Sequence, residues 1–128
     1  MRNIHCNERI VEYKQAETLF QKNVVEPFLI KEGHTIIENS RTFKIKEFRR
    51  VVDIMSHKDG VVHATEIKLA IGGRSLEHAI GQIVLYKYIL REYKILYQIV
   101  FPVSTKNDKV MSTEFIDFLK NSAGIIVL

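Results

Sequence analysis

The sequence predicts an α/β domain, a mixed sheet with helices packed against it, and three observations carry that prediction. Residues from about 8 to 32 and from 76 to 93 bear apolar side chains every three or four positions, the helical period. Between them, residues 34–38, 43–55 and 61–69 are rich in β-branched and alternating side chains, the strand period. After the second helix, ILYQIVFPV at 95–103 is a dense apolar run that reads as a buried strand. The order is helix, two or three strands, helix, strand, helix, strand.

The first helix is marked by Tyr13, Ala16, Phe20, Val24 and Phe28, with Pro27 as an interruption and Gly33 as a stop signal. Strands follow at His34 to Glu38, at Phe43 to Met55 and at Val61 to Leu69. Asp59-Gly60, between the last two, is a favoured two-residue turn because both positions need φ > 0 and these residues tolerate it. Gly72-Gly73 breaks the chain and Ser75 is a candidate N-cap. Leu76, Ala79, Ile80, Ile83, Tyr86 and Leu90 then mark the second helix. Ser112 can cap a last helix carrying Phe115, Ile116 and Leu119, and Gly124 precedes a short final strand, IIVL.

A chain of 128 residues suits one domain, taken as residues 1–128, with one core. No apolar run approaches the ~20 residues that cross a bilayer, and MRNIHCNERI lacks the apolar centre of a signal peptide. Cys6 is the single cysteine, which excludes an intramolecular disulfide and a cysteine-built zinc site. A cytoplasmic, intracellular protein with no membrane role is the expectation. The net charge of +4 favours a polyanionic partner. Arg41, Lys44, Lys46, Arg49 and Arg50 crowd into one segment, either a solvated face or a phosphate-binding patch.

With the turn at Asp59-Gly60, residues facing each other across the hairpin have numbers summing to 119. Met55 faces Ala64, and Asp53 faces Glu66 with Cβ atoms about 4.5–5.5 Å apart. Lys68 points to the same side, whereas Val52, Ile54 and Ile67 point to the other. His63 is assigned to the side of Asp53, near the hairpin tip. Two opposed carboxylates repel unless a cation lies between them, and a hard divalent ion such as Mg²⁺ takes carboxylate oxygens. The alternative is a salt bridge in which Lys68 neutralises Glu66 or Asp53.

Asp53, then Glu66-Ile67-Lys68, then a helix carrying Gln82 and Tyr86 (82-QIVLY-86) resembles the PD-(D/E)XK nuclease superfamily. The Gln-x-x-x-Tyr helix is similar to its RecB-like branch. The resemblance covers about Ala16 to Val103, and Val52 stands where the family name has proline. It implies a restriction-endonuclease-like αβββαβ core with an extra C-terminal helix and strand. It implies a Mg²⁺-dependent (or Mn²⁺-dependent) deoxyribonuclease, with Asp53, Glu66 and the Ile67 carbonyl holding the metal and Lys68 assisting the attacking water. A supporting glutamate is expected from the first helix. Glu12, Glu17 and Glu26 are candidates, and Glu17 is preferred because Tyr13, Phe20 and Val24 share its face. Gln82 and Tyr86, on one helix face, would align the site and touch substrate. His78 lies one turn earlier on that face. Arg49, Arg50 and Arg74 would contact phosphates, with Lys44 and Lys46 further out and Gly72-Gly73-Arg74 as a loop. DNA is the expected partner and RNA the second choice. The small size suggests a homodimer. The rival from another class is a non-catalytic binding module on the same fold.

Overall fold

Five strands form one sheet in the sequential order β1-β2-β3-β4-β5 in the computed structural model. It describes residues 15–45, 48–69, 73–102 and 112–128, with residues 40–45, 48–50 and 73 as backbone only. The strands are β1 (Thr35–Ile45), β2 (Phe48–Lys58), β3 (Val61–Ile67), β4 (Ile95–Phe101) and β5 (Ile125–Val127). β1, β2 and β3 are antiparallel neighbours, and β4 and β5 then add in parallel, so the sheet is mixed.

Helix α1 runs over residues 15–31 and is not uniform. A π turn at Gln21–Val25 interrupts it, and α geometry resumes at Glu26–Lys31. Pro27 explains the interruption. It has no N–H to continue the i→i−4 ladder, so the preceding turn widens, and the Glu26 N–H bonds the Gln21 carbonyl five residues back. Gly33, at φ +96°, stops the helix, with the His34 amide donating to the Leu29 carbonyl at 2.9 Å.

β1 reaches Ile45, well past the Glu38 at which the sequence ended its first strand, so the single strand expected at Phe43 to Met55 is divided between the end of β1 and most of β2. The polar stretch Glu38-Asn39-Ser40-Arg41-Thr42 hides that continuation, because an edge strand is held by its ladder and has little apolar patterning. A bulge between Ile36 and Glu38 shifts its register against β2. The crossover helix α2 spans Gly73–Leu90, followed by a 3₁₀ turn at Arg91–Tyr93. It begins before Ser75, which therefore lies inside its first turn and is not the cap. Gly73 and Arg74 are likewise helical, not loop, while Gly72 lies outside the described residues. Helix α3 (Thr113–Ala123) starts as expected, with Ser112 Oγ accepting the Phe115 amide at 3.2 Å, and ends at Gly124, φ +72°.

The sheet has a core on each face. α1 supplies Val25 and Leu29 against Ile54, Ile67 and Val100. α2 and α3 supply Ala79, Ile83, Leu90 and Leu119 against Met55, Ala64, Tyr97, Ile99 and Phe101. Burying each large apolar side chain of this kind is worth about 1.5–3 kcal/mol. Among the described residues no helix is long and apolar enough to cross a membrane.

Candidate active site

The central hairpin has the register its turn dictates. Asp59 and Gly60 take φ +52° and +78°, and the ladder runs from Lys58↔Val61 through Met55↔Ala64 to Ile54↔Thr65. There it stops. β3 continues against β4, pairing Glu66↔Ile99 and Ile67↔Val100, while β2 parts from it. Asp53 and Glu66 are therefore not the directly opposed ladder pair that the turn arithmetic suggested. The Asp53 carboxylate turns into the gap, and its Oδ2 accepts the Ile67 amide at 2.7 Å. Strict alternation of β2 also breaks here. Val52 and Met55 share the α2-side core while Ile54 lies on the α1 side.

That break lets Asp53 meet α1. The Glu17 carboxyl hydrogen-bonds the Asp53 side chain. Burial first, then the charges of Asp53 and Glu66, raise the Glu17 carboxyl above its ordinary 4.5, with Lys68 opposing them. Glu17, Asp53, Glu66 and Lys68 thus form one electrostatic cluster at the open end of the hairpin. Lys68 is tethered from both sides: its amide donates to the Val100 carbonyl at 3.0 Å, and its Nζ lies 3.6 Å from Glu66 Oε2. Glu66 is only 5% exposed.

Glu66 Oε2 also accepts the Tyr97 hydroxyl at 2.8 Å. Sequence reasoning missed Tyr97, reading it as one more apolar residue of a buried strand. The available signal was its phenol, which needs a partner once buried. Parallel pairing of β4 sets Tyr97 beside Ala64, one same-face step from Glu66.

Gln82 lies on the sheet-facing side of α2 between Ala79 and Ile83 and is 8% exposed. Among the described residues nothing donates to its Oε1. A buried amide oxygen left so costs about 1–3 kcal/mol. The half-buried Tyr86 packs its ring on that of Tyr97, centroids 5.2 Å apart. His78 is exposed. Glu26 is engaged on its own helix by Lys22 at 3.2 Å and Gln21 at 3.4 Å. Glu12 and Lys46 lie outside the described residues.

Lys44 and Arg49 pair across β1 and β2, next to Phe43↔Arg50. This puts them at the far end of that hairpin, with Arg50 about 10 Å along the strand from Asp53 at ~3.3 Å per residue. Arg74 is exposed in the first turn of α2. His63 is not on the side of Glu66. It pairs with Ser56 across the ladder, and its ring meets that of His34 edge-on at 4.6 Å. Side chains alternate along a strand, so the odd-numbered His63 and the even-numbered Glu66 face opposite ways.

The cluster offers a cation hard oxygens. Among the described residues no three His, Cys, Asp or Glu side chains are gathered closely enough to hold a metal ion as they stand. Glu17 and Asp53 are hard oxygen donors of the type a divalent ion takes. Neighbouring carboxylates repel one another, and a divalent ion balances such charges.

The elements follow the αβββαβ order that the sequence predicts, with α3 and β5 added to that core. Solved structures similar to the chain include an XisH family protein from Nostoc punctiforme, at 19% identity and TM-score 0.54, covering 77% of this chain and 82% of that one. An fdxN element excision controlling factor protein from Anabaena variabilis matches at 20% identity and TM-score 0.55, covering 77% and 81%. A repair endonuclease from Pyrococcus abyssi matches at 24% identity and TM-score 0.47 over 88% of this chain, which spans 45% of that one. No protein-family model and no curated protein matches the sequence.

Proposed function

We propose that the chain is a metal-dependent nuclease that hydrolyses phosphodiester bonds, with DNA as its substrate. One observation carries the reading: the carboxyl group of Glu17 on α1 feels the charges of Asp53 on β2, Glu66 on β3 and Lys68 where the central ladder opens. Asp53, Glu66 and Glu17 would hold Mg²⁺ or Mn²⁺, joined by the Ile67 carbonyl. The bound cation supplies charge neutralisation at the phosphoryl oxygens and lowers the pKa of water. Lys68 orients the attacking water for in-line displacement and offers N–H donors to charge building on phosphorus. Asp53, bonded to the Ile67 amide, holds β2 and β3 at the spacing that keeps the site open. Gln82 and Tyr86 line the α2 side of the site and align substrate. Arg49, Arg50 and Arg74, with Lys44 and Lys46, contact backbone phosphates and set register without reading sequence.

The Lys68–Glu66 ion pair supports a second reading, a self-neutralised site on a non-catalytic binding module. Cleavage assays on single-stranded, double-stranded and branched DNA and on RNA, with Mg²⁺, Mn²⁺ and EDTA, separate the two. The nuclease cuts DNA with either metal, stops in EDTA, and loses about 10²–10⁴-fold in Lys68→Ala. Equal behaviour of wild type, Lys68→Ala and Asp53→Ala removes the catalytic assignment. Salt-sensitive DNA binding without cutting supports the module. Cutting of RNA alone reassigns the substrate.

A further inference from the structure

We infer that Tyr97 is the positioning residue for Glu66, an inference that rests on the metal-dependent reading above. Glu66 has a flexible side chain, and a carboxylate this buried must be held in one orientation to serve a cation. Tyr97 supplies that constraint. Its hydroxyl donates to Glu66 Oε2 at 2.8 Å, and Lys68 Nζ approaches the same oxygen at 3.6 Å. Tyr97 is itself 3% exposed, rises from the middle of β4, and is braced by the Tyr86 ring at 5.2 Å. With two side-chain torsions and a packed ring, the phenol cannot swing away. Both groups on Oε2 are donors, so Glu66 is steered to present its carboxylate to a cation through one oxygen rather than as a chelate. That mode suits a small octahedral ion such as Mg²⁺. Ca²⁺ accepts one or two carboxylate oxygens at longer, more variable distances and depends less on the orientation.

Tyr97→Phe keeps the ring and removes only the hydroxyl. The full-length variant is titrated with Mg²⁺ and with Ca²⁺, and Kd is read by calorimetry and by cation-dependent rise in Tm. Gln98→Met is the control, because Gln98 donates to Thr65 Oγ1 at 2.8 Å across the same two strands without touching Glu66. Tyr97→Phe is expected to weaken Mg²⁺ about 10–100-fold and Ca²⁺ by less, while Gln98→Met leaves both unchanged. Unaltered Mg²⁺ affinity in Tyr97→Phe, or an equal loss in Gln98→Met, overturns the role of Tyr97 while leaving the metal site standing. A wild-type protein that binds neither cation overturns the metal-dependent reading and the positioning role with it. Should Tyr97→Phe lack a cooperative melt in EDTA, Tyr97→Met, which keeps an apolar side chain in the core, is read against the same outcomes.

Discussion

Glu17 on α1 and Asp53 on β2 share a hydrogen bond between their carboxyl groups. A helix on one face of the sheet is thereby joined to a central strand at the point where that strand leaves its neighbour. The two carboxyl groups repel one another when both are charged, and much of the expected behaviour of the site follows from it.

Glu17→Gln replaces a repelling carboxylate with a neutral amide whose N–H can donate to Asp53. A carboxyl raised in the folded state stabilises the protein below its ordinary 4.5 and loses that contribution as pH rises through the folded value. At neutral pH and in EDTA, the variant is expected to melt a few degrees higher than wild type. Its affinity for Mg²⁺ is expected to fall by about tenfold or more. Calorimetric melts with and without Mg²⁺ check both. A variant that melts lower in EDTA contradicts the repulsion.

Asp53 has a structural duty separable from its charge, since it accepts the Ile67 amide at 2.7 Å. Asp53→Asn keeps an acceptor there, whereas Asp53→Ala leaves a buried N–H without one, costing about 1–3 kcal/mol. Denaturant titration of the metal-free proteins is expected to place Asp53→Ala below wild type by that amount and Asp53→Asn near it. Both lose cation-dependent stabilisation. Equal stability of the two variants would argue against the bond.

His34 and His63 give the fold a sensitivity to acid. Burial lowers both below their ordinary 6.5, helped for His63 by His34 and Lys58. Lys58 also lowers His34, while Glu32 and Asp59 oppose it. The unfolded chain then binds more protons than the folded one as pH drops below 6.5, so stability falls through that window and rises again with pH. Unfolding free energy measured from pH 5 to pH 8 is expected to show this slope, and His63→Gln to flatten it. A wild-type curve level across the window excludes the effect.

Two glycines make opposite predictions from one substitution. Gly60 has φ +78° and open space around its Cβ position, so Gly60→Ala meets only backbone strain, about 1–2 kcal/mol. Gly81 lies inside α2 with equally open space, so Gly81→Ala is expected to stabilise by about 0.5–1 kcal/mol. Thermal melts of the two variants should shift in opposite directions.

Local chemistry was legible wherever a residue decides its own conformation. Asp59-Gly60 specified the hairpin and its register, Ser112 and Gly124 bounded α3, and the three-to-four spacing from Leu76 to Leu90 specified α2. β1 was legible only in part, because an edge strand full of polar residues carries a weak two-residue pattern. The side of His63 was misjudged, although strand parity alone decides it.

The chain by itself determined the α/β order, the turn that pairs β2 with β3, and the residue types available for chemistry, because propensity, capping and turn geometry act over a few neighbours. Only the tertiary structure decided that the ladder ends at Ile54↔Thr65, that Asp53 turns to Ile67 and Glu17, and that Tyr97 holds Glu66. Those contacts join residues far apart in sequence. They exist because α1 packs on one face of the sheet, and α2 carries the chain over the other to set β4 parallel to β3.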